Sequence, residues 1–282
     1  MSLPDLIAHA LAEDLGEVGD ITTAATVPAG ARGTARVVAK QALTVSGTAV
    51  IAETFSTLAR MQQSADVEVT VLAQDGDQVA KGTLVATVAG PLALLLTGER
   101  VMLNLLMHCC GVATLTRQAA DALAGSSTRI LDTRKTTPGL RALEKAAVRH
   151  GGGTNHRFGL GDGILIKDNH ITAAGSITKA VQSARAAAHH LLKIEVEVSS
   201  TAQIDEALAA GADILLLDNM DDAALTAAVT RIAGRAQSEA SGNMTVARLP
   251  AVGRTGVTFV SMGALTHSAP AADLSMKIDA SA

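Results

Sequence analysis

Arg134, Lys135, Arg141, Lys145, Arg149, Arg157 and Lys167 crowd the segment DTRKTTPGLRALEKAAVRHGGGTNHRFGLGDGILIKDNH, residues 132–170, of a chain with formal net charge −4. Guanidinium forks hold carboxylates and phosphates in bidentate fashion, and ammonium groups act as mobile point charges. Cations placed on strand ends and loops, with Gly151, Gly152 and Gly153 between them, point to a pocket for a highly anionic small molecule. Arg141, Lys145 and Arg149 have helical spacing and can also be read as an ordinary solvated helix face. That reading explains Arg134-Lys135, His156-Arg157 and Lys167-Asp168 less well, because these pairs fall where strands give way to loops.

Beyond residue 127 the pattern alternates strand and helix, and this alternation must position those cations. Strands are expected at 129–131, 163–166, 193–198, 213–217, 237–240 and 257–260. Helices are expected from Pro138 to the glycine triplet, from Ser176 to His190, and at 202–210, 221–232 and 244–252, with Pro250 awkward inside the last. The 213–217 run is almost wholly apolar, as a parallel strand buried on both faces would be. Such β-α units make a parallel α/β barrel or a doubly wound sheet. In a barrel the chemistry sits at the C-terminal strand ends. Asp132-Thr133-Arg134-Lys135, Lys167-Asp168-Asn169-His170, Glu195 and Glu197, Asp218-Asn219, Ser241-Gly242-Asn243 and 263–267 fall there. Basic groups come first, carboxylates follow, and glycine-containing turns suited to phosphate come last.

Residues up to about 110 read differently. An amphipathic helix with Leu3, Leu6, Ile7, Ala10 and Leu11 is followed by a loop at 19–23, a strand at 34–38 and a helix at 47–61. Strands at 67–71 and 84–88 are separated by a turn at Asp75-Gly76-Asp77, and Pro91 opens a long helix over 92–124 that marks the domain boundary. With 282 residues, 48% of them hydrophobic, the chain is sized for two domains.

With 23 basic against 27 acidic residues, the surface as a whole is not built for nucleic acid or an anionic membrane. Three Phe and no Trp or Tyr argue against base stacking. Adjacent Cys109 and Cys110 read as packing residues, and free thiols fit a reducing cytoplasm. The opening MSLPDLIAHALAEDL lacks a basic stretch and is unlike a secretory signal. The most apolar run, 91–96, is too short to cross a bilayer, so a soluble cytoplasmic protein is expected.

The long central motif, in order with EDLGEVGDITT, TGERVMLNLL, GVATLT, IEVEV, ILLLDN, EASGN and GALTHS, closely resembles the quinolinate phosphoribosyltransferase family over nearly the whole chain. The resemblance implies an N-terminal α/β sandwich domain (1–110, with the 270–282 tail packed on it) and an open, incomplete parallel α/β barrel (111–269). It implies a homodimer with shared active sites, or a larger assembly. The implied reaction joins quinolinate to phosphoribosyl pyrophosphate with Mg²⁺, giving nicotinate mononucleotide, pyrophosphate and carbon dioxide, the de novo entry to NAD. By the same resemblance Arg134, His156, Arg157 and Lys167 hold the quinolinate carboxylates, with Arg100 reaching in from a neighbouring subunit and Thr133 a further substrate-binding residue. Lys135 and Lys167 also meet pyrophosphate, and Glu197 and Asp218 bind Mg²⁺ and stabilise charge on the ribose. Ser241, Gly242, Asn243, Gly263 and Ala264 would take the 5′-phosphate, and Met262 is a further implied substrate-binding residue. Lys135, Lys167, Glu197 and Asp218 are the implied catalytic set.

Other readings remain beside these. Glu195 and Glu197 share a strand face, so one of them could only pair with a lysine. Asp168 and Asn169 read equally as supports for Lys167, and His267 as a loop-orienting or a packing residue. His108 reads as core or interface, and His189-His190 as a helix end. Ala146 and Cys109-Cys110 depart from the family pattern at packing positions. A paralogous barrel associated with molybdenum transport shares the TRK-type turn but lacks intact NHR and LIKDNH segments. A lipoyl-like carrier turn at Asp75-Gly76-Asp77 with Lys81-Gly82 is a further alternative, as is a non-catalytic phosphosugar-binding module, which would not need Glu197 and Asp218 beside so many cations.

Overall fold

The computed structural model describes residues 1–65 and 67–280, which divide into two compact units. The first comprises Met1–Leu115, Thr137–Gly152 and Ala269–Ala282; the second comprises Thr116–Thr136 and Gly153–Ser268.

The first unit carries helices α1 (Leu3–Leu15), α2 (Ile21–Thr26), α3 (Thr48–Gln62), most of α4 (Leu92–Ala122) and α5 (Arg141–His150). Its strands are β1 (Arg32–Ala39), β2 (Leu43–Thr44), β3 (Glu68–Val71), β4 (Gln78–Val79), β5 (Leu84–Pro91) and β12 (Leu274–Ala280). β12-β1-β5-β3 form an antiparallel sheet, and β2 pairs with β4. Burial alternates along β1, so Ala35, Val37 and Ala39 face a core shared with Ile51 and Phe55 of α3 and with Leu95, Met102 and Leu106 of α4. Gly98 permits the close approach of α3 to α4: a Cβ there would stand 2.8 Å from the Phe55 ring. By length and composition α4 could cross a membrane, but it contributes Leu95, Met102, Leu106 and Cys110 to this core.

Four expectations for this unit need correction or extension. The 19–23 loop contains the start of α2, whose Asp20 cap accepts the Thr23 amide at 2.9 Å. The turn at Asp75-Gly76 forms between the paired β3 and β5 as expected, but it leads into a short strand, β4, that the spacing does not announce and that pairs with β2. Pro138 does not open a helix; Gly139 has φ +83° and α5 begins at Arg141. The β-α rhythm would assign α5 to the barrel, yet residues 137–152 group with the first unit.

The second unit is built on six parallel strands: β6 (Arg129–Leu131), β7 (Ile164–Ile166), β8 (Ile194–Val198), β9 (Ile214–Asp218), β10 (Gln237–Ser241) and β11 (Phe259–Ser261). Their order, β6-β11-β10-β9-β8-β7, is that of a barrel in which the last strand returns to the first. β6 and β7 are not joined as strands, and a single bridge from Leu131 to Thr154 stands at that opening, so the barrel is open. Ile194, Val196, Leu215, Leu217, Ala240 and Val260 are fully buried, which explains the near-continuous apolar runs.

The helices here are α6 (Asp168–Ala174), α7 (Ile177–Ala187), α8 (Thr201–Ala209), α9 (Asp222–Ile232), α10 (Leu249–Arg254) and α11 (Ala264–His267). Ser176, Ser200 and Asp221 accept the amides of Lys179, Gln203 and Ala224 and so start α7, α8 and α9. The helix expected to run from Ser176 to His190 ends at Ala187, leaving His189 and His190 outside it, and α6 precedes it unforeseen. Pro250 lies in the first turn of α10, where its missing N–H costs nothing, so it does not kink a helix interior.

Candidate active site

The C-terminal ends of the barrel strands surround a cavity of about 520 Å³. Thr133, Arg134 and Lys135 line it after β6, His156 and Arg157 ahead of β7, and Leu165 and Lys167 on and after β7. Glu197 enters from β8, Leu216, Asp218 and Asn219 from β9, Glu239, Ser241, Gly242 and Asn243 from β10, and Ser261 from β11. Period-2 alternation accounts for this set, since Leu216 and Asp218, or Glu239 and Ser241, point to one side of their strand.

Buried Asp132 organises the cationic side. Its Oδ1 accepts the His156 amide and its Oδ2 the Asn155 side chain, both at 2.7 Å. The turn carrying His156 and Arg157 is thereby tied to the end of β6. The Arg157 guanidinium donates to the Gly163 carbonyl at 2.9 Å. Burial and the neighbouring charge of Arg134 push the pKa of Arg157 down, the mark of cations held together for an anion. The Lys135 amide donates to Thr133 Oγ1 at 3.0 Å, and the Lys135 carbonyl accepts from Thr266 Oγ1 at 2.8 Å.

The neighbouring part of the wall is anionic. Glu197 Oε2 lies 3.3 Å from Lys167 Nζ, and Asp218 Oδ2 accepts from Asn219 Nδ2 at 2.8 Å. Asn219 and Asn243 both have left-handed backbones, φ 55° and 49°, where β9 and β10 break into loops. Such strain gathers at functional turns. Asn243 donates to Asn219 Oδ1 at 3.2 Å. Gly242, at φ +94°, is required between them, because a Cβ there would stand 2.2 Å from Asn219 Oδ1.

The site residues read from the sequence mostly converge here, with informative exceptions. Gly263 and Ala264 are not in the lining but begin α11 beside Lys135, whose Cδ would meet a Cβ on Gly263 at 3.0 Å. Met262 is buried, its amide donating to the Leu131 carbonyl, so it braces β11 against β6. Arg100 is exposed on α4 in the first unit and is not among the lining residues. His156 turns both nitrogens to the protein: Nδ1 accepts the Arg157 amide at 2.7 Å and Nε2 meets Glu195 Oε2 at 3.0 Å. Burial opposes charge on this imidazole, but Glu195 and Glu239 outweigh it and raise its pKa. Glu195 therefore pairs with a histidine, and Glu197 is the one that pairs with a lysine.

Glu239, the middle residue of β10, is not among the residues that the sequence pattern singles out. His108 bonds buried Glu144 at 2.9 Å within the first unit, and His267 bonds Ser268 at 2.6 Å. Asp168 caps the Asn169 amide at 2.7 Å. Among the described residues, His156, Glu195 and Glu239 are the one set of three spaced for a metal, and His189-His190 form no part of it.

The family model for the quinolinate phosphoribosyl transferase C-terminal domain matches residues 112–277, and that for the N-terminal domain matches 20–110. The chain belongs to the quinolinate phosphoribosyltransferase family. It is 45% identical to a Bacillus subtilis protein named probable nicotinate-nucleotide pyrophosphorylase (carboxylating), over 99% of this chain and 94% of that one. The Mycobacterium leprae nicotinate-nucleotide pyrophosphorylase (carboxylating) is 42% identical, over 97% and 96%. The crystal structure of NadC from Streptococcus pyogenes superposes with a TM-score of 0.93 at 40% identity, covering 99% and 97%. Within this quinolinate phosphoribosyltransferase family framework, the cavity at the strand ends is the candidate active site.

Proposed function

We infer that the protein transfers phosphoribosyl from phosphoribosyl pyrophosphate to quinolinate and releases carbon dioxide, giving nicotinate mononucleotide and pyrophosphate for NAD biosynthesis. The observation that carries this reading is the division of one cavity. Arg134, Lys135, Arg157 and Lys167 face it from one arc, Glu197 and Asp218 from the next, and the Ser241-Gly242-Asn243 turn completes it.

Arg134, Arg157 and Lys167 bind and orient the two quinolinate carboxylates. His156 contributes by holding the Arg157 amide and not by presenting a nitrogen to the ligand. Lys135 and Lys167 meet the pyrophosphate, and the backbone amides of 241–243 with those of 263–264 take the 5′-phosphate. Glu197 and Asp218 stabilise positive charge that develops on the ribose as pyrophosphate departs. Ribosylation makes the ring nitrogen cationic; when the adjacent carboxylate leaves as carbon dioxide, the electron pair remains on the ring carbon, stabilised by that neighbouring positive charge, and the carbon then takes a proton from water.

The donor set suits Mg²⁺: two hard carboxylates on adjacent strands, one already sharing its charge with Lys167, leave most coordination positions to phosphate oxygens and water. Such a cation, when bound, neutralises the pyrophosphate. Exposed Arg100 on α4 supports a homodimer in which the partner subunit's Arg100 reaches the cavity. Buried free Cys109 and Cys110, with pKa values pushed up to about 12 by burial, suit a reducing cytoplasm. The direct test is carboxyl-labelled quinolinate: label should leave as carbon dioxide only when phosphoribosyl pyrophosphate and Mg²⁺ are both added. Release without phosphoribosyl pyrophosphate, or none with it, would overturn the reading.

A further inference from the structure

Glu195 on β8 and Glu239 on β10 flank β9 beneath the cavity, at 4% and 2% exposure. One ligating atom from each lies, with one from His156, within 4.8 Å of the others. Glu195 Oε2 accepts from His156 Nε2 at 3.0 Å, and Glu239 Oε2 stands 3.8 Å from the same nitrogen. The second oxygen of each carboxylate, Oε1, is buried without a hydrogen-bond partner.

Two such orphan oxygens call for a cation or a proton. The Arg157 amide decides between them: it donates to His156 Nδ1, so the imidazole proton sits on Nε2 and no lone pair faces the carboxylates for a metal. Two ionised carboxylates in a dry wall repel, whereas one proton between them removes the repulsion and gives one orphan oxygen a donor. The imidazole N–H is directed at Glu195 Oε2, 3.0 Å away, and stands 3.8 Å from Glu239 Oε2, so Glu239 is the carboxyl left to carry the proton.

We propose that Glu239 is a neutral carboxylic acid in the working site, donating its proton to Glu195, and that it acts as a positioning residue which keeps the cavity floor at a single negative charge. The cations above it then remain available to an anionic ligand. The groups facing Glu239 are Glu195 from β8, His156 from the turn ahead of Arg157, and Ser261 from β11; its register partner on β9 is Leu216. Burial first, and then the charge of Glu195, push its carboxyl up to about 8 against the opposing pull of His156 and Ser261. The native state thus holds a proton that the unfolded chain releases. Its contribution to stability is full below the ordinary carboxylate pKa and is lost as pH rises to about 8.

The ligand-affinity part of this proposal rests on quinolinate being the substrate; the proton itself does not. Infrared spectroscopy of the intact protein at about pH 7 should show a protonated-carboxyl stretch that fades above pH about 8 and is missing from Glu239→Gln. Ser261→Ala, which removes a hydrogen bond favouring the anion, should move that fading to higher pH and serves if Glu239→Gln does not fold. With quinolinate, the wild-type KM should rise above pH about 8 by about tenfold per unit, while the KM of Glu239→Gln, whatever its absolute value, should show no such rise. A band unchanged in Glu239→Gln, or no band, overturns the proton assignment whatever the substrate. A band that behaves as described with a KM rise that persists in Glu239→Gln overturns the positioning role alone.

Discussion

Arg157 and Glu197 carry opposite charges in the lining of one cavity and should fail in opposite ways. Arg157 has its backbone fixed through His156 and Asp132, so its side chain is preset for a carboxylate. Arg157→Ala should raise the KM for quinolinate about 10- to 100-fold, the loss of roughly 1.5–3 kcal/mol in hydrogen bonds to a charged group, with a smaller change in kcat. Glu197→Gln should lower kcat by about 10²–10³ and leave quinolinate binding nearly intact, since its charge is needed as the ribose becomes cationic. Steady-state kinetics with each substrate varied in turn checks both; equal effects on both parameters would count against the divided site. The cations and the Glu197/Asp218 pair were legible in the sequence because they sit at the ends of apolar strands or in the loops that join them. Glu239 was not, because its role depends on Glu195 meeting it across β9, a contact that no local spacing encodes. The engagement of both His156 nitrogens was hidden for the same reason.

At the scale of elements, the turns after β9 and β10 are the most constrained part of the site. Asn219 and Asn243 adopt left-handed backbones and bond to each other, and Gly242 leaves no room for a side chain. Gly242→Ala should therefore cost about 1–3 kcal/mol and raise the KM for phosphoribosyl pyrophosphate far more than that for quinolinate. Denaturant unfolding and kinetics test this together; a wild-type KM for phosphoribosyl pyrophosphate would remove the turn from the phosphate site. Strand positions were readable because burial on both faces writes continuous apolar runs, and Arg129–Leu131 appears as expected. Helix starts were less readable. α5 is delayed by the Gly139 turn, and α6 begins at Asp168 after Lys167, a residue type that does not mark a helix start. Pro250 was misjudged because a proline suits the first turn of a helix as well as it disrupts an interior.

For the whole molecule, the pairing of β12 with β1 explains why the segment after the barrel strands groups with the first unit. The β-α repeat disclosed the barrel, but membership of α5 in the first unit is a tertiary outcome that the repeat conceals. The shared-site proposal belongs at this scale. Arg100→Ala and Lys135→Ala should each be nearly inactive, while unfolding and refolding them together should restore part of the activity as one site per mixed dimer regains both residues. Proven mixed dimers without recovery would place Arg100 outside the partner's site. The central claim is that this cavity is built for two adjacent carboxylates and not one. Turnover of quinolinate against nicotinate, each with phosphoribosyl pyrophosphate and Mg²⁺, tests it most directly. Quinolinate should be consumed with stoichiometric release of carbon dioxide and nicotinate should remain essentially unreacted; turnover of nicotinate with quinolinate inert would contradict the account.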